Sequence, residues 1–312
     1  MTILITGAAG FVGAHAVRGL HALGERIIAT DLATEATRIA DLVGAGEVTY
    51  VAGGLADLLP AVVPGVDEVW HFAANADIPL GVRDTTVDLR ESALLTRHLM
   101  EAMREHGVGS LVFPSTSGVY GSALGPLVRE QDGPLLPNSM YAAGKVAAEA
   151  LISAYCRTFG LRARILRLGN VVGGMMGRGI VRDFVRKLGE EPRTLRVMGD
   201  GSQRKSYVLV DDVVDGMRHL AAADGPACDV YNLAAGGSLD VAEVARAVAV
   251  AMAIPAPLIV PDGTSLSWPG DQPVVELAVD KALATGWRPR YTAFDAVTVA
   301  ARRILADQVV TS

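Results

Sequence analysis

A tyrosine and a lysine stand four positions apart in the stretch "SMYAAGKVAAEAL", as Tyr141 and Lys145. The Ala-rich run predicts a helix that begins close to Tyr141, so both side chains project from one face. The pKa of tyrosine is about 10, which makes it a poor base at neutral pH, but an adjacent ammonium group favours the phenolate. The pair has the chemistry of a general acid and base, although this spacing also fits two surface residues of an ordinary helix.

The stretch "PSTSGVYG", residues 114–121, supplies three consecutive hydroxyl side chains, Ser115, Thr116 and Ser117. It ends the apolar run "SLVFP", which predicts a buried strand. The hydroxyls therefore lie at the carboxyl end of a strand, where ligands of doubly wound α/β folds bind. A hydroxyl at this edge can hydrogen-bond a substrate oxygen while Tyr141 gains or loses a proton.

The elements that must position these residues alternate between strands and helices. Apolar runs rich in β-branched residues predict strands near 2–5, 26–30, 48–51, 68–72, 110–114 and 163–168. Amphipathic stretches between them predict helices at 11–23, 34–43, 55–63, 87–106 and 141–159. Because the strands are continuously hydrophobic, we predict an α/β fold with a Rossmann-like doubly wound parallel sheet.

The first strand runs into the glycine cluster "TGAAGFVG" at the start of a predicted helix. Gly7 suits a tight turn, Gly10 allows the backbone to approach a pyrophosphate, and Gly13 lets the helix lie on the strand. Small residues also serve plain packing, so the context matters. The second strand ends at Asp31, where a carboxylate can accept both hydroxyls of an adenosine ribose and repel a 2′-phosphate. These features predict NAD as the cofactor, while Asp31 as an ordinary helix cap is the alternative.

The chain after about residue 170 is richer in glycine and proline, with predicted helices near 179–189, 211–223, 240–252 and 293–306. We expect residues 1–170 to form the NAD-binding domain, with returns to its sheet near 203–233. We expect residues 171–312 to form mainly a smaller C-terminal substrate-binding lobe, interleaved with the first domain.

Composition and charge narrow the choice of partners. The net charge is −6, from 28 basic and 34 acidic residues without a basic stripe, which argues against nucleic acid. No stretch predicts a signal peptide or a membrane span, so we expect a cytoplasmic protein. The two cysteines, Cys156 and Cys228, stand far apart in unrelated contexts, and the six histidines form no ligand motif. We therefore expect neither a disulfide framework nor a metal site.

Seven blocks occur in the order "TGAAGFVG", "HFAANAD", "STSGVYG", "YAAGK", "LRLGNVVG", "GDGSQRKSYVLVDDV" and "VYNLAAGG". In this order they resemble the extended short-chain dehydrogenase/reductase family of nucleotide-sugar enzymes, from residue 2 to about residue 291. The resemblance implies a catalytic triad of Thr116, Tyr141 and Lys145, with Ser117 in place of Thr116 if the loop register differs. It also implies a homodimer that pairs the helices at 87–106 and 141–159 as a four-helix bundle.

The resemblance further implies two sets of binding residues. We expect the cofactor to contact Gly7, Ala9, Gly10, Phe11, Val12, Gly13, Asp31, Leu32, Gly54, Leu55, Phe72, Ala73, Ala74, Ser115, Tyr141 and Lys145. We expect the nucleotide sugar to contact Asp77, Ser117, Tyr120, Asn170, Arg178, Arg182, Arg204, Lys205 and Trp268.

The chain departs from the family pattern at several of these positions. Lys205 stands where an Arg commonly binds the diphosphate, and Trp268 stands where 4-epimerases often have a second phosphate-binding Arg. Lys and Arg are not equivalent at a bidentate phosphate site, so Arg204, or Arg178 and Arg182, are candidates to compensate. Ser92 occupies a position where an Asn is usual, and Gly54 one where an Asp often contacts adenine.

The residues after Thr116 discriminate between the reactions of the family. Its 4,6-dehydratases carry Asp-Glu directly after the Thr, and decarboxylating members keep the glutamate, whereas this chain has Ser117 and Gly118. The resemblance thus implies an NAD-dependent nucleotide-diphosphate-sugar 4-epimerase that acts through a transient 4-keto sugar. The alternatives are a nucleotide-sugar dehydrogenase or 4-ketoreductase, a dehydratase or decarboxylase, and, more remotely, a non-catalytic NAD-binding sensor.

Overall fold

The computed structural model describes residues 1–122, 124–264 and 270–310. In the first half, strands and helices alternate as predicted. The strands are β1 (Thr2–Thr6), β2 (Arg26–Asp31), β3 (Thr49–Ala52), β4 (Glu68–His71), β5 (Ser110–Thr116), β6 (Leu127–Val128) and β7 (Arg162–Leu168). The helices are α1 (Phe11–His21), α2 (Ala40–Gly44), α3 (Leu55–Val62), α4 (Ile78–Arg83), α5 (Leu95–His106) and α6 (Met140–Phe159).

The second half has shorter strands between its helices. The strands are β8 (Asn170–Val172), β9 (Thr194–Val197), β10 (Arg204–Lys205), β11 (Tyr207–Leu209), β12 (Cys228–Leu233), β13 (Leu239–Asp240), β14 (Leu258–Pro261) and β15 (Val274–Leu277). The helices are α7 (Ile180–Glu190), α8 (Val210–Ala222), α9 (Val241–Ala251), α10 (Asp280–Ala284) and α11 (Ala293–Val310).

A seven-stranded sheet carries the strand order β12-β7-β5-β4-β1-β2-β3. Strand β1 pairs in parallel with both β2 and β4, and β4 pairs in parallel with β5. The order therefore reverses at β1, which creates the crevice where doubly wound folds bind their ligands. The predicted α/β fold class is confirmed.

The central strands of this sheet are buried. All four residues of β4 are buried, as are five of the seven residues of β5. Apolar side chains of α3, α5 and α6 pack on the sheet in one cluster, which includes Leu59, Met100 and Ile152. The continuous hydrophobic runs of the sequence therefore correspond to two-sided burial.

The chain divides into two compact units. The first unit comprises residues 1–119, 139–167 and 217–231, and the second comprises residues 120–138, 168–216 and 232–312. The second unit holds a four-stranded sheet in the order β13-β10-β15-β6 and a parallel pair of β8 and β11. From the predicted returns near 203–233, β12 joins the large sheet, whereas β10 and β11 pair in these smaller sheets.

The predicted helix at 87–106 is interrupted. A π-helical turn spans Leu89–Leu94 before α5 begins at Leu95. This turn lies against α6, where a Cβ at Gly144 would come within 2.7 Å of the Asp88 carbonyl oxygen.

None of the helices among the described residues combines the length and apolar character that a membrane span requires.

Candidate active site

The glycine cluster forms the turn between β1 and α1. Gly7 adopts φ +70°, and a Cβ there would lie 2.6 Å from the backbone nitrogen of Ala73. A Cβ on Gly13 would lie 2.2 Å from the carbonyl oxygen of Gly7. Both positions therefore exclude any larger residue, because the contacting atoms belong to the backbone.

The N-terminus of α1 is suited to an anion. Gly10 is the N-cap and gives no side-chain cap, and the first turn contains no acidic residue. The first backbone N–H groups of a helix have no intrahelical partner and carry partial positive charge. A pyrophosphate fits this end of α1, since it would accept these hydrogen bonds.

Asp31, the last residue of β2, lies beside the glycine turn. Its carboxylate accepts hydrogen bonds from the backbone N–H of Ala9 at 2.9 Å and of Ala33 at 3.2 Å. Arg38 donates to the Ala9 carbonyl oxygen at 2.7 Å, so a cation lies beside this loop. Each carboxylate oxygen of Asp31 retains the capacity to accept one more hydrogen bond, as a ribose diol requires.

The predicted catalytic pair lies in the first two turns of α6. Ser139 caps this helix and accepts a hydrogen bond from the Ala142 N–H at 3.2 Å, which sets the start of the helix just before Tyr141. Lys145 follows one turn later and is buried, with 3% of its surface exposed. Tyr141 and Lys145 therefore share a helix face, as the spacing predicts.

Two features of β5 position the ammonium group of Lys145. The Nζ atom donates to the Pro114 carbonyl oxygen at 2.9 Å, and it lies 4.5 Å from the centroid of the Phe113 ring. Burial lowers the pKa of Lys145 to about 8, although the negative charge of Glu149 acts in the opposite direction. The lysine is thus held as a cation whose charge is sensitive to its surroundings near neutral pH.

The three hydroxyls at and just after the end of β5 have different partners. Thr116 is half-buried, and its Oγ1 accepts a hydrogen bond from the Gly118 N–H at 3.1 Å. Ser115 is buried, and its hydroxyl donates to the carboxylate of Glu149. Ser117 begins a short 3-10 turn that ends at Tyr120. The structure thereby distinguishes Thr116 from Ser115, which the sequence presents as equivalent hydroxyls.

A buried ion pair supports this corner of the site, and the sequence reasoning missed it. Arg167 on β7 donates to both carboxylate oxygens of Glu149, at 2.7 Å from Nη2 to Oε2 and 3.2 Å from Nε to Oε1. Both side chains are less than a tenth exposed. The signal was present, because an Arg inside the apolar strand "RARILRL" must find hydrogen-bond acceptors, and a carboxylate is one of them.

His71 lies under the glycine turn at the end of β4. Its ring nitrogens contact the hydroxyls of Thr6, at 2.7 Å from Nδ1, and of Thr96, at 3.2 Å from Nε2. Burial, with a smaller contribution from the charge of Lys145, lowers the pKa of His71 to about 3. His71 is therefore a neutral residue that links β1, β4 and α5.

The loop after β4 carries Phe72, Ala73, Ala74 and Asp77. The Ala73 N–H donates to the Thr6 hydroxyl at 3.2 Å, which fixes the turn beside Gly7. Asp77 precedes α4 and lies 3.6 Å from Arg83. Leu55 is buried at the start of α3, with Gly54 before it, whereas Leu32 is 70% exposed.

Lys205 is the best-defined basic candidate of the second unit. Its Nζ atom donates to Asp271 at 2.8 Å, and the Asp271 side chain is 4% exposed. Asn170 is the first residue of β8 and pairs with Tyr207 of the parallel strand β11. Burial raises the pKa of Tyr207 to about 12, while a hydrogen bond with the Asn170 side chain acts in the opposite direction.

Arg204 points to the opposite side of β10 from Lys205. Its guanidinium lies 3.2 Å from both Asp240 and Glu243, and it donates to Ser238. Asp240 and Glu243 form the capping box of α9, so Arg204 stabilises the start of that helix. Its predicted part in binding a diphosphate stays a prediction.

The remaining candidates of the second unit have varied surroundings. Tyr120 is fully buried, and its hydroxyl donates to Asn232 at 2.7 Å. Arg182 is exposed and donates to the Met176 carbonyl oxygen at 3.1 Å, and Arg178 is exposed just before α7. Trp268 lies outside the described residues.

Among the residues that the structure describes, no three His, Cys, Asp or Glu side chains are grouped as metal ligands.

Comparison with known proteins identifies the family. The model of the NAD dependent epimerase/dehydratase family matches residues 3–234. The chain belongs to this family. The prediction of NAD as the cofactor is thereby confirmed, and the glycine turn, the uncapped start of α1 and Asp31 fit it.

Relatives within this epimerase/dehydratase family include both activities. The chain is 33% identical to a dTDP-glucose 4,6-dehydratase of Streptomyces antibioticus, over 77% of this chain and 73% of the relative. It is 32% identical to a UDP-glucose 4-epimerase of Mycolicibacterium smegmatis, over 82% and 84%. The structure of the Thermus thermophilus UDP-glucose 4-epimerase complex with NAD matches with a TM-score of 0.83 at 32% identity, over 97% and 98%.

Proposed function

We propose that this protein is an NAD-dependent nucleotide-diphosphate-sugar 4-epimerase. The observation that carries the proposal is the pair Ser117 and Gly118 after Thr116. Elimination of water requires an additional acid and base, and these two residues provide none. A Cβ on Gly118 would lie 3.2 Å from that of Ala142 and 3.4 Å from Thr116 Oγ1, so this position lies close to the triad.

In this proposal the triad moves one proton at the sugar C4 oxygen. Tyr141 takes the proton from the C4 hydroxyl, and the Thr116 hydroxyl hydrogen-bonds the same oxygen. Lys145 favours the phenolate of Tyr141 as long as it is an ammonium ion, and its pKa of about 8 keeps it mainly charged at neutral pH. When the 4-keto sugar is reduced, Tyr141 returns the proton. When bound, NAD would accept the hydride from the sugar C4 and would later return it.

The cofactor contacts of the proposal lie on the elements that end at the crevice beside β1. Gly7, Gly10 and Gly13 hold the pyrophosphate at the start of α1, and Asp31 accepts the ribose hydroxyls. Lys145 holds the second ribose. The other proposed contacts come from the glycine turn and the ends of β2, β3, β4 and β5, namely Ala9, Phe11, Val12, Leu32, Gly54, Leu55, Phe72, Ala73, Ala74 and Ser115.

The substrate contacts of the proposal include a diphosphate site that differs from one built on two arginines. Lys205 shares its charge with the buried Asp271 at 2.8 Å, so the pair presents little net charge to a phosphate. Arg178 and Arg182 are exposed and are the proposed sources of positive charge. The other proposed contacts within the described residues are Asp77, Ser117, Tyr120, Asn170 and Arg204.

A dehydratase is the second candidate, because a named 4,6-dehydratase is 33% identical to this chain. The two activities differ in the product, since dehydration removes one water from the sugar and epimerisation leaves its mass unchanged. A dehydrogenase or 4-ketoreductase differs again, because it consumes added cofactor stoichiometrically.

The first test is to denature the purified protein and to assay the supernatant for NAD. We expect retained cofactor, because an epimerase reuses one NAD in every cycle. Empty protein that oxidises added NADH stoichiometrically with a 4-ketosugar would support the ketoreductase instead. Loss of mass from a nucleotide hexose would support the dehydratase, and turnover that is unchanged in Tyr141→Phe would remove the triad from the mechanism.

We also propose a homodimer in the cytoplasm. The apolar residues of the π-helical turn, α5 and α6 divide into two sets. Met100 and Ile152 are fully buried in the core of the first unit, whereas Leu94 of the turn is 44% exposed and Phe159 of α6 is 51% exposed. The exposed set is available for pairing with a second copy. Light scattering after size exclusion tests this, and a monomer mass at micromolar concentration would contradict it.

A further inference from the structure

The loop between β8 and α7, residues 173–179, lies on helix α11. A Cβ on Gly174 would lie 3.2 Å from the Cβ of Arg303 and 3.4 Å from Oδ2 of Asp307. The backbone N–H of Met175 donates to the same oxygen of Asp307 at 2.8 Å. The loop and α11 both belong to the second unit. Helix α11 therefore holds the loop through one hydrogen-bond acceptor and through a close backbone approach that glycine permits.

The backbone of Met175 has a conformation that its side chain disfavours. Its φ is +60°, in the left-handed region, where the Cβ of an L-residue crowds the following carbonyl oxygen. A residue other than glycine keeps such a conformation only where surrounding contacts fix it, and residues of this kind are frequent in loops that bind ligands. The hydrogen bond to Asp307 is such a contact, since it engages the N–H of the strained residue itself.

Helix α11 is in turn fixed beside the start of α8. Arg303, one turn before Asp307, donates to the carboxylate of Asp211 in the first turn of α8. Strands β8 and β11 are parallel neighbours, and the loop follows β8 as α8 follows β11. Both connections therefore lie at the same edge of this strand pair, and one turn of α11 contacts both of them.

The other end of the loop leads to two exposed arginines. Met176 is 5% exposed, and a Cβ on Gly179, the N-cap of α7, would lie 3.0 Å from its Cε atom. Arg182 in the first turn of α7 donates to the Met176 carbonyl oxygen at 3.1 Å, and Arg178 directly precedes Gly179. The positions of both guanidinium groups therefore depend on the backbone of the loop that Asp307 holds.

We infer that Asp307 is a positioning residue for the substrate, because it fixes the loop from which Arg178 and Arg182 present positive charge to the diphosphate. The inference rests on the proposed function, in which these two arginines bind the diphosphate. Asp307 needs no contact with the substrate in this role, since it acts through the backbone of Met175. Loss of its acceptor should weaken binding of the diphosphate and leave the chemistry at Tyr141 unchanged.

The first experiment measures the loop and needs no substrate. Trypsin should cleave the folded protein after Arg178, because residues 177–179 are exposed. We expect this cleavage to be about 3–10-fold faster in Asp307→Ala, as the loss of one hydrogen bond predicts. Asp307→Asn keeps an oxygen acceptor and should stay close to wild type. The matched control is Arg302→Ala, a change at an exposed position of the same helix. Circular dichroism shows whether each variant is folded, and Asp307→Ser replaces Asp307→Ala if the latter is not.

The second experiment measures binding by calorimetric titration with UDP, GDP, CDP and dTDP, and the kinetics of the nucleotide sugar that is turned over. We expect Asp307→Ala to raise the Kd of the bound diphosphate, and the KM, by about 3–10-fold, with little change in kcat. The loss should be smaller in a Met175→Gly background, because glycine adopts a positive φ without this hydrogen bond. A contribution of Asp307 to global stability alone would not give this rescue.

The outcomes separate the inference from the proposed function. Binding of a nucleoside diphosphate that depends on Asp307, without epimerisation of any nucleotide sugar, would contradict the proposed function and support the inference. An unchanged Kd in Asp307→Ala would overturn the inference, whether or not its loop is cleaved faster. Wild-type protein that binds none of the four diphosphates would overturn it too, as would an effect of Arg302→Ala as large as that of Asp307→Ala.

Discussion

The buried pair of Glu149 and Arg167 gives the most quantitative prediction. The change Glu149→Gln keeps the side-chain volume and one acceptor for Ser115 and Arg167, but it removes the negative charge. Arg167 would then be a buried cation, with 6% of its side chain exposed, and without its carboxylate partner. Removing one partner of a buried pair costs about 3–5 kcal/mol of unfolding free energy. We expect a loss of about 3 kcal/mol, since glutamine still accepts one hydrogen bond.

The assay is equilibrium unfolding in urea, followed by far-UV circular dichroism, for four proteins: wild type, Glu149→Gln, Arg167→Met and the double variant. Replacing both members of a buried pair leaves no unpaired charge, so the double variant should be more stable than the sum of the single losses predicts. We expect a coupling free energy of about 1–3 kcal/mol. Ser115→Ala is a matched control that removes one hydrogen bond, with a loss of about 1 kcal/mol.

The same change has a second, independent readout at Lys145. The charge of Glu149 raises the pKa of Lys145, so Glu149→Gln should lower it further below its value of about 8. An NMR titration of the lysine ε-CH₂ group measures this shift. A Glu149→Gln protein within about 0.5 kcal/mol of wild type, with additive single losses and an unchanged Lys145 titration, would refute the reasoning.

Three further predictions concern the same unit. His71 has a pKa of about 3 in the fold, below its usual value of about 6.5, so only the unfolded chain takes up this proton between those values. The free energy of unfolding should therefore fall as the pH falls below about 6.5, by about 1.4 kcal/mol per pH unit. In urea unfolding at several pH values, His71→Gln should lack this contribution to the pH dependence. An equal pH dependence in His71→Gln and wild type would contradict the prediction. Tyr141→Phe should lower kcat by about 10²–10⁴-fold with NAD still bound, measured by turnover and cofactor content, and wild-type turnover would contradict the proposed base. Gly13→Ala should lower the free energy of unfolding by about 1–3 kcal/mol through overpacking, and it should weaken NAD binding in calorimetry. The control Gly189→Ala should leave the free energy of unfolding unchanged, because no atom lies near its Cβ position. Equal effects of the two changes would contradict the packing argument.

Local patterns predicted the elements that hold the site. The alternation of apolar runs with amphipathic stretches gave the parallel strands around β1, and the Ala-rich run after Ser139 gave α6 with Tyr141 and Lys145 on one face. These features depend on neighbours in the chain, so a window of residues contains the information. The glycine spacing was local at Gly13, which packs against the Gly7 carbonyl oxygen within the turn, whereas Gly7 contacts Ala73 in the distant loop after β4.

Contacts between distant segments could not be predicted in this way. Glu149 and Arg167 pair only because α6 packs on β7. The π-helical turn at Leu89–Leu94 likewise follows from the approach of α6 at Gly144. Each depends on tertiary packing, which overrides local preference.

The most direct test of the proposed function is to incubate the purified protein with UDP-, GDP-, ADP-, CDP- and dTDP-sugars and to follow the sugar C4 configuration by NMR. We expect one of these substrates to approach an equilibrium mixture of its two C4 epimers, with unchanged mass and without added cofactor. We expect Tyr141→Phe to slow this conversion by about 10²–10⁴-fold. A product that has lost water, or conversion only with stoichiometric NADH, would contradict the assignment as a 4-epimerase.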